Sequence, residues 1–472
     1  MKKLLFAFFT LCFTPLSFAQ TLLIATDLEL KKASSHHQAL NAVNLNTNEV
    51  FVFASDKEKL TAFKYNTALF FKDSMSTKRP DNDFDRLSGY SFNAEGKPEI
   101  YWLDSDFKKL HAVSFDLQNR NTTEKTFEIP LEKEVVLSSF NENNVFYILS
   151  VLKTEDVLKL YIFQDGKIIE KFIDFSEYKI ADRKNNPIKL WSLLEENHLE
   201  KMEIDELNPL YFSTSKAKFY VLNEKIIFTF DHNMSETQLF EIDLDTYKLS
   251  ERKFPQEMLK NVEGNSNSYF SEAKLYQLKA NKDEMILAVK DYDSGTILNS
   301  LTTSKDDIIH HKNSPLFSQT GKQRPKEIKN TKKFLERIHY SAIGITVYET
   351  PNASFITIGG QRDVASTGGI MLGIASGVGV AISGGYAVNV DDFFYSGNLQ
   401  VNYFETHLDL QSQYLKKEQE VLATDYIGQF LDQNKDISLA STFKYKDYYI
   451  LGYYDAKAKK YVLRKFQDDF FD

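Results

Sequence analysis

Short runs of apolar and aromatic residues recur along most of the chain and are separated by polar clusters. Residues 50–53, 145–149, 219–222 and 226–230 are rich in aromatic and β-branched side chains. Asn and Asp supply many of the turns between such runs, as in residues 141–144. Runs of this length and composition, bounded by turn residues, are typical of β-strands. The pattern therefore predicts a mainly β protein.

A strand–turn–strand pattern recurs at an interval that suits a propeller blade. Its markers are Tyr65, Phe115, Phe163, Ile242, Leu298, Tyr403 and Tyr454. Four of the six intervals are close to about 50 residues, the size of a four-stranded blade. We predict a single domain over residues 20–472, an imperfect β-propeller-like array of about six or seven blades. Two β-rich domains are the alternative.

The two long intervals contain atypical sequence and predict inserts at residues 177–208 and 319–390. In the first insert, Asn186 and Pro187 favour the start of a helix, and Leu190, Trp191 and Leu194 follow at helical spacing. Short helical insertions are therefore expected near residues 187–207 and 408–432.

The first 19 residues have the pattern of a secretory signal peptide. Lys2 and Lys3 precede an apolar stretch over residues 4–13, and the small residues Ser17 and Ala19 stand where a signal peptidase cleaves. The sequence therefore predicts an exported protein, periplasmic or extracellular, whose mature chain starts at Gln20.

Composition narrows the classes of site. The single Cys, Cys12, lies within the predicted signal, so the mature chain can form neither a disulfide nor a Cys-based metal site. The formal charge of the full chain is −9 and no segment forms a strongly basic domain. Nucleic acid is therefore not expected as a partner.

Nine of the 19 glycines lie between Gly359 and Gly385, and no charged residue occurs over residues 364–390. Small residues of this kind suit tightly packed strands or a tight loop, which is the interpretation we favour. The same stretch is long enough to cross a bilayer. Membrane association through residues 364–390 is therefore one alternative, and a ligand-facing loop is another.

One acidic loop resembles the first half of a calcium-binding loop. Asp81, Asp83 and Asp85 alternate as calcium ligands do, but Arg86 and Phe92 stand where Gly and a bidentate Glu are needed. We interpret the loop as polar surface, with a calcium site at these three aspartates as the alternative. No other cofactor is expected.

The sequence contains no local trace of a nucleophile elbow or of an HExxH metal motif. Abundant Tyr and Phe are frequent in recognition surfaces. We therefore expect a non-catalytic binding or scaffold protein with a protein or glycan as partner, and we assign no catalytic residue. The alternative is a hydrolase that acts on glycans or phosphoesters through carboxylates in the central channel. A ring of inward-facing acidic residues would favour it.

Signal cleavage gives the first prediction. Expression in a Gram-negative-type host should yield an exported chain that begins at Gln20, because Ser17 and Ala19 place the cleavage site after residue 19. N-terminal sequencing and intact mass measure this directly. An exported product that still carries residues 1–19 would contradict the prediction.

Overall fold

The computed structural model describes residues 20–31, 34–131, 133–182, 186–261, 264–321, 323–363, 388–389, 399–418 and 420–468. Strands account for 55% of the structure and helices for 8%, which confirms the mainly β prediction. The predicted signal peptide lies outside the described residues. So does the Gly-rich stretch 364–390, except for residues 388–389.

The strands form seven sheets, which we call blades 1 to 7. The first strand in the chain, β1 (Gln20–Asp27), belongs to the last blade. Blade 1 contains β2 (Gln38–Asn44), β3 (Glu49–Ser55), β4 (Lys59–Tyr65) and β5 (Phe71–Lys78). Blade 2 contains β6 (Arg86–Phe92), β7 (Pro98–Leu103), β8 (Lys109–Asp116) and β9 (Asn121–Glu128). Blade 3 contains β10 (Glu134–Glu142), β11 (Val145–Leu152), β12 (Val157–Gln164) and β13 (Lys167–Asp174).

The fourth and fifth blades follow in chain order. Blade 4 contains β14 (Leu199–Met202), β15 (Ala217–Val221), β16 (Lys225–Phe230), β17 (Glu236–Asp243) and β18 (Leu249–Pro255). Blade 5 contains β19 (Asn265–Ser271), β20 (Lys274–Ala280), β21 (Glu284–Asp291) and β22 (Ile297–Ser304).

The last two blades use strands that are not consecutive in the chain. Blade 6 contains β23 (Phe317–Thr320), β24 (Lys326–Glu327), β25 (Ala342–Glu349) and β26 (Ser354–Asp363). The two-residue strand β27 (Val388–Asn389) belongs to blade 7, and β28 (Leu399–Leu408) returns to blade 6. Blade 7 contains β29 (Ile437–Tyr445), β30 (Tyr448–Asp455) and β31 (Lys460–Phe466), with β1 as its outer strand.

The blades form an imperfect propeller-like array, as predicted, and their number is seven. The first strands of neighbouring blades contact one another: β2 meets β6, β6 meets β10, and β29 of blade 7 meets β2 of blade 1. Blade 7 joins the two ends of the described chain, because β1 pairs antiparallel with β31 from Gln20↔Phe466 to Asp27↔Lys460.

In the described part of the chain, helices are few and short. They are α1 (Leu190–Glu196), α2 (Leu210–Ser213), α3 (Thr331–His339) and α4 (Ala423–Gln433), with a 3₁₀ turn at Ser34–His36. The helix expected over residues 187–207 ends at Glu196, since β14 follows it, and only the second half of 408–432 is helical. Among the described residues, no helix is long and apolar enough to cross a membrane.

Aromatic side chains fill the seams between blades. Phe53 packs on Phe115 with ring centroids 5.6 Å apart, and Phe140 of blade 3 packs on Phe219 of blade 4 at 5.4 Å. Seven of the twelve largest fully buried side chains are tyrosines. The abundance of Tyr and Phe therefore serves packing to a large extent, and it no longer supports a recognition surface by itself.

A buried ion pair ties blade 4 to blade 5. The Lys218 ammonium lies 3.4 Å from the Asp231 carboxylate, and both side chains are fully buried. Lys218 also donates to Asn267 Oδ1 of blade 5 at 2.7 Å. Asp231 accepts hydrogen bonds from the Ser268 backbone N–H and from the Ser268 hydroxyl, each at 2.8 Å. Burial lowers the pKa of Lys218 despite the attraction of Asp231.

We predict that Asp231→Asn lowers the free energy of unfolding by about 3–5 kcal/mol, because it leaves the Lys218 charge buried without its counterion. Urea unfolding followed by circular dichroism measures this. Asp283→Asn is the matched control, since it breaks a pair with Lys305 that is only partly buried. Exposed pairs contribute little. An equal loss of unfolding free energy in the two variants would contradict a special role for the buried Lys218–Asp231 pair.

Candidate functional site

Residues 199–216 run from β14, the first strand of blade 4, to the residue before β15, and we call this segment the central insert. Its strand β14 pairs in parallel with β15. The Leu207 N–H donates to the Tyr449 hydroxyl of blade 7 at 3.2 Å. The Thr346 hydroxyl of blade 6 donates to the Asn208 carbonyl at 2.8 Å. The insert therefore contacts blades 6 and 7 as well as its own blade.

Glycines let the insert approach blade 6 closely. A Cβ atom at Gly344 would lie 2.8 Å from Thr214 Cγ2, and one at Gly359 would lie 3.0 Å from Leu210 Cδ2 and 2.2 Å from the Asn402 carbonyl oxygen. A larger residue at either position would therefore push the insert or its own sheet out of place.

Asn208 fixes the loop that follows β14. Its Nδ2 donates to the carbonyls of Glu203 and Glu206 at 2.6 and 3.0 Å and lies 2.7 Å from the Tyr269 hydroxyl of blade 5. Its Oδ1 accepts from the Glu203 N–H at 2.9 Å. One buried amide thus holds this loop in shape, which sets where the charged side chains beside it point.

These side chains form a central cluster of Glu142, Lys201, Glu203 and Glu206. The Lys201 ammonium is buried and lies 2.5 Å from Glu203 Oε2. Burial lowers the pKa of Lys201, but the charges of Glu203 and Glu142 outweigh burial and leave the pKa raised. Lys201 therefore carries its charge and binds the carboxylates around it.

Two carboxyl groups of the central cluster hold protons unusually strongly. Burial raises the pKa of Glu142 to about 7; Lys201 opposes the shift and Glu203 adds to it. Burial also raises the pKa of Glu206 to about 7, again with a contribution from Glu203. Both groups can therefore exchange protons near neutral pH, a property common among functional acids and bases.

A cleft of about 790 Å³ opens beside the central cluster. Glu142, Ile204 and Asp205 form one side, and the hairpin turns of blade 4 over residues 221–225 and 243–250 form much of the other. The cleft carries five carboxylates and two lysines: Glu142, Asp205, Glu224, Glu241, Asp243, Lys225 and Lys248. We call it the central cleft.

Other groups hold two of these carboxylates in place. Glu241 accepts hydrogen bonds from Lys225 at 2.8 Å and from the Tyr292 hydroxyl at 2.6 Å. Burial raises the pKa of Glu241, but these hydrogen bonds more than reverse the effect and leave the pKa lowered. Asp243 accepts from the Thr246 N–H and hydroxyl at 2.6 and 2.7 Å. This wall of the cleft is therefore ionised and preorganised.

A second cleft, of about 550 Å³, lies between blades 2 and 3. Lys97 pairs there with Asp116 at 2.9 Å and with Glu95 at 2.6 Å. The hydrogen bond from Lys97 lowers the pKa of Asp116 to about 2. Glu99 accepts from the hydroxyls of Tyr101 and Ser114. Lys97 therefore has two carboxylate partners in this cleft. The pKa of Asp116 is lowered here, whereas the pKa values of Glu142 and Glu206 in the central cluster are raised.

The loop that carries Asp81, Asp83 and Asp85 folds around the guanidinium group of Arg79. Asp81, Asp83 and Asp85 are exposed. The Arg79 guanidinium donates to the carbonyls of Pro80 and Phe84 at 3.0 Å each. Across the described part of the chain, no group of three His, Cys, Asp or Glu is placed to hold a metal ion. A calcium site at the three aspartates remains a prediction.

Sequence reasoning missed the central cluster. Glu142 was interpreted as part of a polar turn, and Lys201 and Glu203 as part of a helix. The available signal was the dense run of charge over residues 200–206, which contains five charged residues among seven. A run of this density next to buried apolar residues indicates that some of its charges are buried and need partners.

No protein-family model and no curated protein sequence matches the chain. Among similar solved structures is an oligogalacturonate lyase in complex with manganese, with 7% identity, a TM-score of 0.34, and coverage of 96% of this chain and 98% of that one. AofleA from Arthrobotrys oligospora has 10% identity, a TM-score of 0.23 and coverage of 74% and 83%. An ACO/RPE65 chimera has 8% identity, a TM-score of 0.28 and coverage of 59% and 67%. Likenesses at these TM-scores carry no argument about activity.

Proposed function

We propose that the protein is an exported, non-catalytic binding protein that takes a hydroxyl-rich ligand, a glycan, in the central cleft. The observation that carries this proposal is the cleft of about 790 Å³ beside the central insert, which is lined by five carboxylates and two lysines. Its volume lies within the range of about 300–1,000 Å³ typical of ligand pockets. Its carboxylates accept hydrogen bonds, as sugar hydroxyls require.

The fixed wall of the cleft also favours binding. Because Lys225 and Tyr292 hold Glu241, and Thr246 holds Asp243, these acceptors lose little freedom when a ligand arrives. Preorganised groups of this kind contribute affinity by lowering the entropic cost of association.

We predict that Ser250→Trp weakens glycan binding at least about tenfold, since Ser250 lines the cleft from an exposed position of β18, where an indole would fill it. Isothermal titration calorimetry on a panel of glycans measures this, with peptides as a second panel. Ser300→Trp is the matched control, at an exposed position of β22 in blade 5. Glycan binding that both variants retain would exclude the central cleft as the binding site. Binding of peptides but of no glycan would exclude a glycan as the ligand.

Hydrolysis of a bound glycan is the second candidate function, and one observation favours it. Glu142 lines the cleft and its pKa is raised to about 7, so the group can hold a proton as a general acid does. Asp205 is exposed at the same side of the cleft and is available as the second carboxyl group. The inward-facing acids come from β10 and the central insert rather than from a ring of blades.

For this second candidate we predict that Glu142→Gln lowers kcat at least about a hundredfold on any glycan that the wild type cleaves, because the amide cannot donate the proton. Reducing-end assays measure the rate, and Glu128→Gln, at an exposed position of β9 in blade 2, is the control. Full turnover by Glu142→Gln would rule out this role.

A further inference from the structure

The cleft between blades 2 and 3, which we call the second cleft, has a buried carboxylate in its wall. Glu99 of β7 lines this cleft and is only 7% exposed. Its cross-strand neighbour on β8 is Ser114, which lines the cleft too. Across from them, blade 3 contributes Asp165 and Gly166 of the turn between β12 and β13. Two blades therefore enclose the Glu99 carboxylate.

Three neutral donors hold Glu99 in place. Its Oε2 accepts hydrogen bonds from the Tyr101 hydroxyl at 2.8 Å and from the Gly166 N–H at 3.3 Å. Its Oε1 accepts one from the Ser114 hydroxyl at 3.0 Å. A carboxylate offers about four acceptor positions, two on each oxygen. Glu99 is therefore oriented by the protein itself, and Oε1 can accept one more hydrogen bond from a ligand.

The two lysines of the second cleft are engaged by other groups. Lys97 binds two other carboxylates of the cleft, at 2.6 and 2.9 Å. The Lys125 ammonium donates to the Gly166 carbonyl at 2.6 Å. Within the described part of the chain, no Lys, Arg or His forms an ion pair with Glu99. Because a buried charge is costly unless an opposite charge balances it, Glu99 favours a cation from outside the chain.

Negative charge reaches the second cleft from both blades. The cleft is lined by five carboxylates and two lysines. Burial raises the pKa of Tyr101, and the charges of Glu99 and Asp165 add to this effect. The carboxylates of Glu99 in blade 2 and Asp165 in blade 3 therefore act on the same hydroxyl group. A cleft with such an excess of one charge attracts ligands of the opposite charge.

We propose that the second cleft binds a small ligand through a primary ammonium group that pairs with Glu99. Neutral donors already surround this carboxylate, so positive charge is what a ligand adds. The cleft volume of about 550 Å³ suits a small molecule. Asn121 and Thr123 line the cleft at exposed positions of β9 and can bind hydroxyl groups of the same ligand. This site is separate from the central cleft and does not rest on the proposed function.

The geometry favours an ammonium group over other cations. A guanidinium group pairs best with both oxygens of a carboxylate at once, but Oε2 of Glu99 already accepts two hydrogen bonds. In the described ranges, no group of three His, Cys, Asp or Glu is placed to hold a metal ion. An ammonium group needs only the one remaining position on Oε1. Amino sugars and aliphatic amines both carry this group.

Isothermal titration calorimetry tests the site with glucosamine and cadaverine, each compared with a neutral counterpart, N-acetylglucosamine or pentanediol. The protein carries Ser250→Trp throughout, which fills the central cleft, and the pH is about 6, where both amines are protonated. We expect at least one amine to bind at least about tenfold more tightly than its neutral counterpart. The amine that binds identifies the source of the ammonium group as a sugar or an aliphatic chain.

Glu99→Gln should weaken amine binding at least about tenfold, because it removes the charge and keeps the shape of the side chain. Glu155→Gln is the matched control, with the same change in net charge in the exposed turn between β11 and β12, and it should retain the affinity. Circular dichroism checks the fold. If Glu99→Gln fails to fold, Thr123→Trp replaces it, since an indole at this exposed position would fill the second cleft and abolish binding.

Four results would overturn the proposal: no binding of either amine, equal binding of the neutral counterparts, an equal loss of affinity in Glu99→Gln and Glu155→Gln, or binding of calcium at Glu99 in place of the amines. Failure of every glycan to bind the central cleft would reject the proposed function and leave the amine result unchanged.

Discussion

The propeller depends on the pairing of its two ends, because β1 is the only partner that the described structure offers to the outer edge of β31. No cysteine exists outside the first 19 residues, so no disulfide can close the array instead. The closing strand also contacts the first blade: the Thr26 hydroxyl lies 2.9 Å from the Tyr65 hydroxyl. Leu28, Tyr65 and Tyr461 belong to one apolar cluster that spans the closure. Closing a loop between residues so distant in sequence costs entropy that grows with the logarithm of its length, and the contacts of β1 must offset this cost.

Apolar side chains pack between neighbouring blades and hold them together. Hydrogen bonds from a few polar side chains connect particular strands of different blades. Asn144, in the turn after β10, accepts the Leu45 N–H of blade 1 through its side chain and the Phe92 N–H of blade 2 through its carbonyl. Asn41 of blade 1 similarly donates to Ser441 of blade 7 at 2.6 Å. Hydrogen bonds tolerate little change in distance or angle, in contrast to apolar contacts. These asparagines therefore connect the inner ends of the blades, around the channel that the insert fills.

The sequence was informative where structure follows from local pattern. Strands such as β16 carry apolar, aromatic and turn residues in an order that physical chemistry assigns to β-structure, and their repetition indicated a propeller. The predicted helix over residues 187–207 was only partly right, because Leu199 and Met202 pack in apolar clusters that form only once several blades have assembled. Helical spacing of Leu190 and Leu194 carries no information about where α1 must end.

The central cluster was beyond sequence reasoning for a related reason. Glu142 and Glu206 lie far apart in the chain, and neither is unusual in its local sequence; their raised pKa values arise from burial by other blades and from Glu203. A propeller whose channel is open can place acids from any blade around one axis. Here the central insert contacts blades 6 and 7 and forms one side of the cleft, and the hairpin turns of blade 4 form much of the other. The acids that meet there come from β10 and from the insert, and the same residues that shape the cleft also hold the insert in place. Binding in the cleft would therefore change the surroundings of Glu142, the residue that the cleft and the central cluster share.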